Sequence, residues 1–252
     1  MKVRLDDLLV TKGISTSKSK AQTLIKSGGV QIAEITVIKP GRLINSGTEI
    51  QVSKNKISKS QKYVGRGALK LEAAIKEFKI PIKDKIAVDL GACTGGFTDY
   101  LLQKGAKKVF AIDVGHDQLA QKLKNDPRVI NLEGVNIRNP LPSKVPKNVD
   151  LAVADLSHIS LKLVLKNIFA LVRSGGDIIL LIKPQFEAGP GIVNKQGIIK
   201  EDEIREKIVA DFIKWCTDNN YQHKKLIKSP IQGKTGNIEY LAWFKSTDSQ
   251  QE

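Results

Sequence analysis

From Ile86 onward the sequence alternates short apolar runs with amphipathic stretches, and this alternation constrains the fold more than any other feature. Short runs of β-branched residues between turn signals read as strands, and a 3.6-residue apolar period reads as helix. The order expected is strand Ile86–Leu90, a helix near Gly96–Lys104, strand Lys108–Asp113, helix Gln118–Lys124 and strand Val129–Glu133. Strand Val149–Asp155, helix Leu161–Leu171, strand Asp177–Ile182 and helix Asp202–Asn219 continue the pattern. Strands that alternate with helices imply an α/β domain, a doubly wound and mostly parallel sheet covered on both faces. Two last strands, Gln222–Ser229 and Ile238–Phe244, would add an antiparallel edge. Ahead of the first strand, Arg66–Phe78 sets Ala68, Leu71, Ala74, Ile75 and Phe78 on one helical face.

The first 60 residues follow a different plan. A helix is expected over Val3–Val10, with Val3, Leu5, Leu8 and Leu9 at helical intervals and Gly13 closing it. A second begins at Ser15-Thr16-Ser17, whose hydroxyls suit an N-cap, and stops at Gly28-Gly29. Its apolar face is Ala21, Leu24 and Ile25, while Lys18, Lys20 and Lys26 fall largely outside it. Alternating segments Val30–Ile32, Ile35–Ile38 and Glu49–Val52 complete a small α+β unit. Asn55–Lys62 is polar, basic and aperiodic, so it reads as linker; the division expected is 1–59, a junction at 60–64, and a second domain at 65–247.

Charge narrows the partner. The chain carries 41 Lys and Arg against 26 Asp and Glu, a net charge of +15. Residues 1–60 alone hold 11 against 4. Such an excess favours a polyanion through counterion release, although it also keeps a protein soluble or draws it to acidic lipid. No apolar run approaches the roughly 20 residues of a membrane span, and Met1–Asp7 lacks the apolar core of a secretory signal. Cys93 and Cys216 lie far apart and form neither a metal-ligand spacing nor a disulfide framework. A reducing, cytoplasmic protein with no bound metal and no membrane partner is expected; the oligomeric state, monomer or dimer, stays open.

Arg4-Leu5-Asp6, Ser17-Lys18-Ser19-Lys20-Ala21-Gln22 and Leu24-Ile25-Lys26-Ser27-Gly28-Gly29-Val30 resemble the S4 RNA-binding domain. The departure is Ala33-Glu34, where that family usually turns on Asn-Gly. The resemblance implies RNA contacts from Arg4, Lys12, Lys18, Lys20 and Lys26, to which Arg66 of the second domain is added.

Asp89-Leu90-Gly91-Ala92-Cys93-Thr94-Gly95-Gly96-Phe97 follows the first strand of the second domain and opens a helix. Glycines there let the backbone approach a ligand closely. The spacing of Gly91, Gly95 and Gly96 fits a G-x-G-x-x-G dinucleotide loop badly, and Asp89 suits a cationic ligand better than a pyrophosphate. Asp113 ends the next strand, where a carboxylate can accept from both hydroxyls of a ribose. Loop and carboxylate together look like an S-adenosylmethionine site, with Asp89, Gly91, Ala92, Thr94, Gly95, Gly96, Phe97, Asp113 and Asp155 about the cofactor. Asn136 either contacts the adenine edge or caps a turn.

Asp155 and Lys183 end the fourth and fifth strands. Lys70 lies on the preceding helix and Glu239 at the start of a terminal strand. Singly, Lys70 and Glu239 read as readily as surface charges, whereas Asp155 would face the ligand crevice and Lys183, directly after a buried apolar run, is costly to bury without partners. Together, a lysine with its ammonium pKa depressed by burial and a second cation is a general base, and carboxylates orient it. The order Lys70, Asp155, Lys183, Glu239 matches the tetrad of the FtsJ-type ribose 2′-O-methyltransferases. Within that group the chain resembles the TlyA (hemolysin A) family over nearly its full length, including Tyr63–Leu71, Asp89–Asp99, Ala154–Ser160 and Lys183–Glu187. The resemblance implies a Rossmann-like methyltransferase domain and 2′-O-methylation of cytidine in ribosomal RNA, with RNA or ribosomal subunits as partner. Cys93 stands where a small hydroxyl residue is expected. Pro184–Gln196, rich in Gly and Pro, is expected as a mobile lid over a flipped nucleotide or as a passive connection. The alternatives are an RNA-binding assembly factor with little catalysis and a membrane-lytic hemolysin; a pseudouridine synthase would have no use for the glycine-rich loop.

Overall fold

The structure is a computed structural model that describes residues 1–15, 17–53 and 62–247. They divide into two compact units, Met1–Tyr63 and Val64–Glu252. Most of the expected linker, Asn55–Lys62, lies outside the described residues, as does Thr16 of the expected cap.

In the first unit β1 (Lys2–Arg4) leads into α1 (Leu5–Thr11), followed by α2 (Lys18–Lys26), β2 (Val30–Ile32), β3 (Ile35–Val37), β4 (Leu43–Asn45) and β5 (Gln51–Val52). Val3 belongs to a strand and not to the first helix, because it pairs with Ile44 of β4. Three residues of strand carry no readable period, so β4 is also invisible to patterning. Ser17 caps α2, its hydroxyl accepting from Lys20 N at 3.3 Å. The helices pack through Leu5, Leu8 and Leu9 against Ala21, Leu24 and Ile25, with Val30, Val37 and Ile44 from the strands beneath them.

Between β2 and β3 the chain reverses in two residues, Ala33 at φ 47° and Glu34 at φ 65°. Two positive φ values in a two-residue hairpin define a type I′ turn, which Asn-Gly adopts most cheaply. Restoring that chemistry with Ala33→Asn and Glu34→Gly is expected to stabilise this unit by about 1 kcal/mol. A denaturant midpoint that does not rise would show that the turn carries no such strain.

The second unit runs α3 (Gly67–Phe78), β6 (Ile86–Leu90), α4 (Gly96–Gln103), β7 (Lys108–Ile112), α5 (Gln121–Lys124), β8 (Val129–Leu132), β9 (Val149–Ala154), α6 (Leu165–Phe169), β10 (Val172–Ile182), α7 (Pro184–Glu187), α8 (Asp202–Asp218), β11 (Gln222–Lys228) and β12 (Tyr240–Lys245). Its seven-stranded sheet has the order β11-β12-β10-β9-β6-β7-β8. β8 to β10 are parallel to one another through β7, β6 and β9, and β11 and β12 form the antiparallel edge. Val88, Leu90, Ala152, Ala154, Ile178 and Leu180 build the buried sheet centre, and Phe169, Phe212 and Phe244 pack with it.

Three expected elements differ. β10 starts at Val172 and not Asp177, crossing a register shift that Gly175 (φ 68°) and Gly176 accommodate; a Gly-Gly pair reads as a turn from sequence. The helix expected over Leu161–Leu171 is a 3₁₀ turn at Leu161–Leu163 and the short α6, broken at Val164. The segment after Lys183 opens with α7 instead of an irregular loop.

Strand order reverses between β6 and β9, so their carboxyl ends part and leave a crevice, the place where open parallel sheets receive ligands.

Candidate active site

Gly91 leaves β6 at φ 83° under the chain that follows β9. A Cβ there would stand 2.5 Å from the Asp155 carbonyl oxygen, so only glycine lets the two strand ends lie this close. Asp155 N donates to Leu90 O at 2.9 Å, and Gly91 N to Ile112 O at 2.8 Å, which ties the loop to both neighbouring strands.

A cleft of about 600 Å³ opens here, lined by Gly91, Cys93, Asp113, Asn136, Asp155 and Ser157, with Ile112, Val135 and Ile159 among its apolar walls. The Asp113 carboxylate accepts from Cys93 N at 2.8 Å and from Gly115 N at 2.7 Å, which aims it along the cleft edge. Asn136 lines the cleft and its Oδ1 accepts from Arg138 N at 3.0 Å, so it also closes a turn.

Asp89 is fully buried. Its Oδ2 accepts from Thr98 N (2.9 Å) and Thr98 Oγ1 (2.7 Å) in the first turn of α4, whereas Oδ1 is buried without a hydrogen-bond partner. Burial pushes its carboxyl up to about 7, against the pull of the Thr98 bonds. Because this pKa is raised on folding, burying Asp89 carries no penalty below the ordinary carboxyl range, and stability is lost as pH rises from there towards 7. A positive group in the adjoining recess, which Asp89 lines with Gly65, Arg66, Ala92 and Thr94, would relieve that cost. The orphaned oxygen and the glycine cradle fit a nucleoside that carries a cationic arm.

The other glycines serve packing. A Cβ on Gly95, which caps α4 at φ 91°, would strike Leu119 and Leu123, and one on Gly96 would meet Ala68 N at 3.1 Å. Phe97 is buried, with its ring 3.7 Å from the Cβ position of Gly67.

The four charged residues expected to act together do meet. Glu239 immediately precedes β12, Lys183 follows β10 and Asp155 follows β9, three adjacent strands whose register sets Ile182 beside Tyr240 and Leu180 beside Ala154. Lys70 reaches the row from α3. Lys70 Nζ lies 2.7 Å from Glu239 and 3.5 Å from Asp155, and Lys183 Nζ lies 2.7 Å from Asp155. Side-chain exposure is 9% for each lysine, 22% for Asp155 and 3% for Glu239. Two cations and two anions alternate, which is the arrangement that makes burial of four charges tolerable. Ser157, to which the sequence alone assigns no role of its own, accepts from Lys183 Nζ at 2.7 Å, and the Phe186 ring lies 5.9 Å from the same nitrogen. Asp155 and Ser157 thus join the cleft to the buried lysine.

On the first unit the basic residues differ in freedom. Arg4 donates Nε and Nη2 to Asp6 at 2.9 and 2.7 Å, and Gln22 donates to the same carboxylate. The Arg4 guanidinium holds the buried Asp6 carboxyl down to about 2, so this pair braces the two helices. Lys18 pairs with Asp7 at 2.6 Å, and Lys12 donates to Thr48 O at 3.3 Å. Lys26 is exposed and Lys20 half-buried; Arg66 is exposed at the start of α3.

Residues 63–246 match the FtsJ-like methyltransferase family and residues 3–50 the S4 domain. The chain is 42% identical to hemolysin A of Brachyspira hyodysenteriae, over 96% of this chain and 99% of the relative. It is 37% identical to the 16S/23S rRNA (cytidine-2′-O)-methyltransferase TlyA of Mycobacterium tuberculosis, over 97% and 90%. A solved chain from Streptococcus thermophilus that carries the hemolysin name is 39% identical and superposes with a TM-score of 0.75, covering 98% of this chain and 89% of that one.

Proposed function

Because the chain belongs to the FtsJ-like methyltransferase family and carries an S4 domain at its N-terminus, we propose that it methylates a ribose 2′-OH, of cytidine in ribosomal RNA, from S-adenosylmethionine. The observation that carries this reading is the alternating row Glu239–Lys70–Asp155–Lys183 beside the β6/β9 crevice. When bound, S-adenosylmethionine supplies a methyl group made electrophilic by its sulfonium.

The chain's own residues do the rest. Gly91 admits the ligand backbone-close, Asp113 accepts from the cofactor ribose, and Asp89 answers its positive arm. Lys183 Nζ holds the attacking hydroxyl and moves its proton. Asp155 and Ser157 fix that nitrogen at 2.7 Å each. Lys70 shares Asp155, and Glu239 balances Lys70.

The decisive experiment incubates the protein with labelled S-adenosylmethionine and separated ribosomal subunits, then maps alkali-resistant positions in the RNA. Label at discrete cytidines is expected; no incorporation into either subunit or its free RNA would overturn the reading. Docking is assigned to the first unit, where Lys20 and Lys26 lie outside the apolar face of α2. Reversing both to Glu is expected to weaken RNA binding and flatten its salt dependence, by a slope of about 0.9 for each duplex-like phosphate that is no longer neutralised. An unchanged slope would move the docking surface elsewhere. As for lysis, no helix among the described residues is long and apolar enough to cross a membrane.

A further inference from the structure

Beyond the paired ends of β9 and β10, Lys183 and Asp155 are joined by their own ion pair, Ser157 bonds to the lysine, and the two loops that carry them run on side by side. The loop after β9 continues to Ser160 and Leu161, and the turn after β10 continues through α7 to Glu187. There a second link closes. Glu187 Oε2 accepts from Ser160 Oγ at 2.6 Å, and Oε1 accepts from Leu161 N at 2.8 Å. Ser160 Oγ in turn accepts from Lys162 N and caps the 3₁₀ turn. α7 itself is anchored to the lysine, since Phe186 N donates to Lys183 O at 2.9 Å. The result is a closed frame with two rungs: Lys183 with Asp155 and Ser157, and Glu187 with Ser160 and Leu161. Glu187 does not line the cofactor cleft.

We propose that Glu187 is a positioning residue, the clasp that holds the loops after β9 and β10 in one register and so fixes Lys183 Nζ against Asp155 and Ser157. The proposal rests on the methyltransferase reading for its consequence, though not for the clasp itself. A displacement of about 1 Å at a proton-moving group is enough to lower turnover severely, whereas the cofactor cleft beside β6 and β7 is built without Glu187.

The test uses the full-length protein. Glu187→Ala is expected to lower kcat about tenfold with KM for S-adenosylmethionine within twofold, and to speed hydrogen exchange at the Leu161 amide while α4 and α8 keep their protection. Glu187→Gln should recover most of kcat, because its amide oxygen can accept from Leu161 N while its N–H₂ donates to Ser160 Oγ. Wild-type kcat in Glu187→Ala, or a Gln variant no better than the Ala variant, would overturn the clasp. Should Glu187→Ala fail to fold, Ser160→Ala removes the 2.6 Å hydrogen bond, together with the cap on Lys162 N, and leaves Glu187 its bond from Leu161 N; it is expected to lose at least threefold in kcat, and an unaltered kcat overturns the proposal equally. An inactive wild type would instead count against the methyltransferase reading, and the Leu161 exchange rate would still decide the clasp.

Discussion

Lys183→Ala is expected to lower methyl transfer by about 100-fold or more while affinity for S-adenosylmethionine stays within about threefold, because a positioned proton-transfer group contributes on that order. The lysine bonds to Asp155 and Ser157 but is not among the residues lining the cleft. Its removal leaves Asp155 with Lys70 at 3.5 Å, so the carboxylate is not stranded and the sheet should hold. Lys183→Arg separates two roles. A guanidinium keeps the ion pair but does not give up a proton near neutral pH. If Lys183 moves a proton, the Arg variant should be nearly as inactive as the Ala variant in single-turnover assays. Substantial activity in Arg would reduce Lys183 to an orienting charge, and activity in Ala within about threefold of wild type would remove it from the mechanism.

Gly91→Ala is expected to lower S-adenosylmethionine affinity at least about tenfold, a loss on the order of 1.4 kcal/mol of binding, and to destabilise the second unit. Its φ of 83° already costs an alanine about 1–2 kcal/mol. The added Cβ would then press on Asp155 backbone, at 2.5 Å from O and 3.0 Å from C, which has no flexible end to swing away. Moving that backbone also displaces the carboxylate from both lysines, so turnover should fall further than binding. Gly189→Ala is the control, since it has open space and no positive φ; it should stay within about 0.5 kcal/mol. Calorimetry and denaturation of the two variants decide the matter. Equal behaviour would mean that the crevice between β6 and β9 is not the ligand site.

Local chemistry is legible wherever it repeats or where a residue type has few uses. β6, β7 and β9 can be placed within a residue of their observed ends because each is an apolar run closed by a turn signal. The glycine loop announces itself because Gly91 must adopt a left-handed backbone under a neighbouring strand. The misreadings share one cause. Val3 looks helical by its spacing to Leu5 and Leu8, yet its backbone pairs with Ile44, some 40 positions on. β10 runs through Gly175-Gly176, a pair that stops strands unless a partner strand holds the bulge. Ser157 and Glu187 fall in segments that carry the family resemblance, yet nothing there singles either out, since an isolated Ser or Glu in a loop has a surface use in most chains.

What the sequence alone determined is therefore the class of the fold, the two-part organisation and the identity of the chemical groups: apolar periodicity, loop glycines and charge excess act locally, residue by residue. What only the tertiary structure decided is their conjunction. Lys70, Asp155, Lys183 and Glu239 are spread over 170 positions of chain, and nothing in their spacing places them 2.7 to 3.5 Å apart. That distance follows from the register of β9, β10 and β12, in which Ile182 sits beside Tyr240 and Leu180 beside Ala154. A shift by one residue would turn each strand's side chains to the opposite face and separate the charges. Register is selected by the burial of whole faces at once, which is why it belongs to the folded sheet and not to any segment of the sequence.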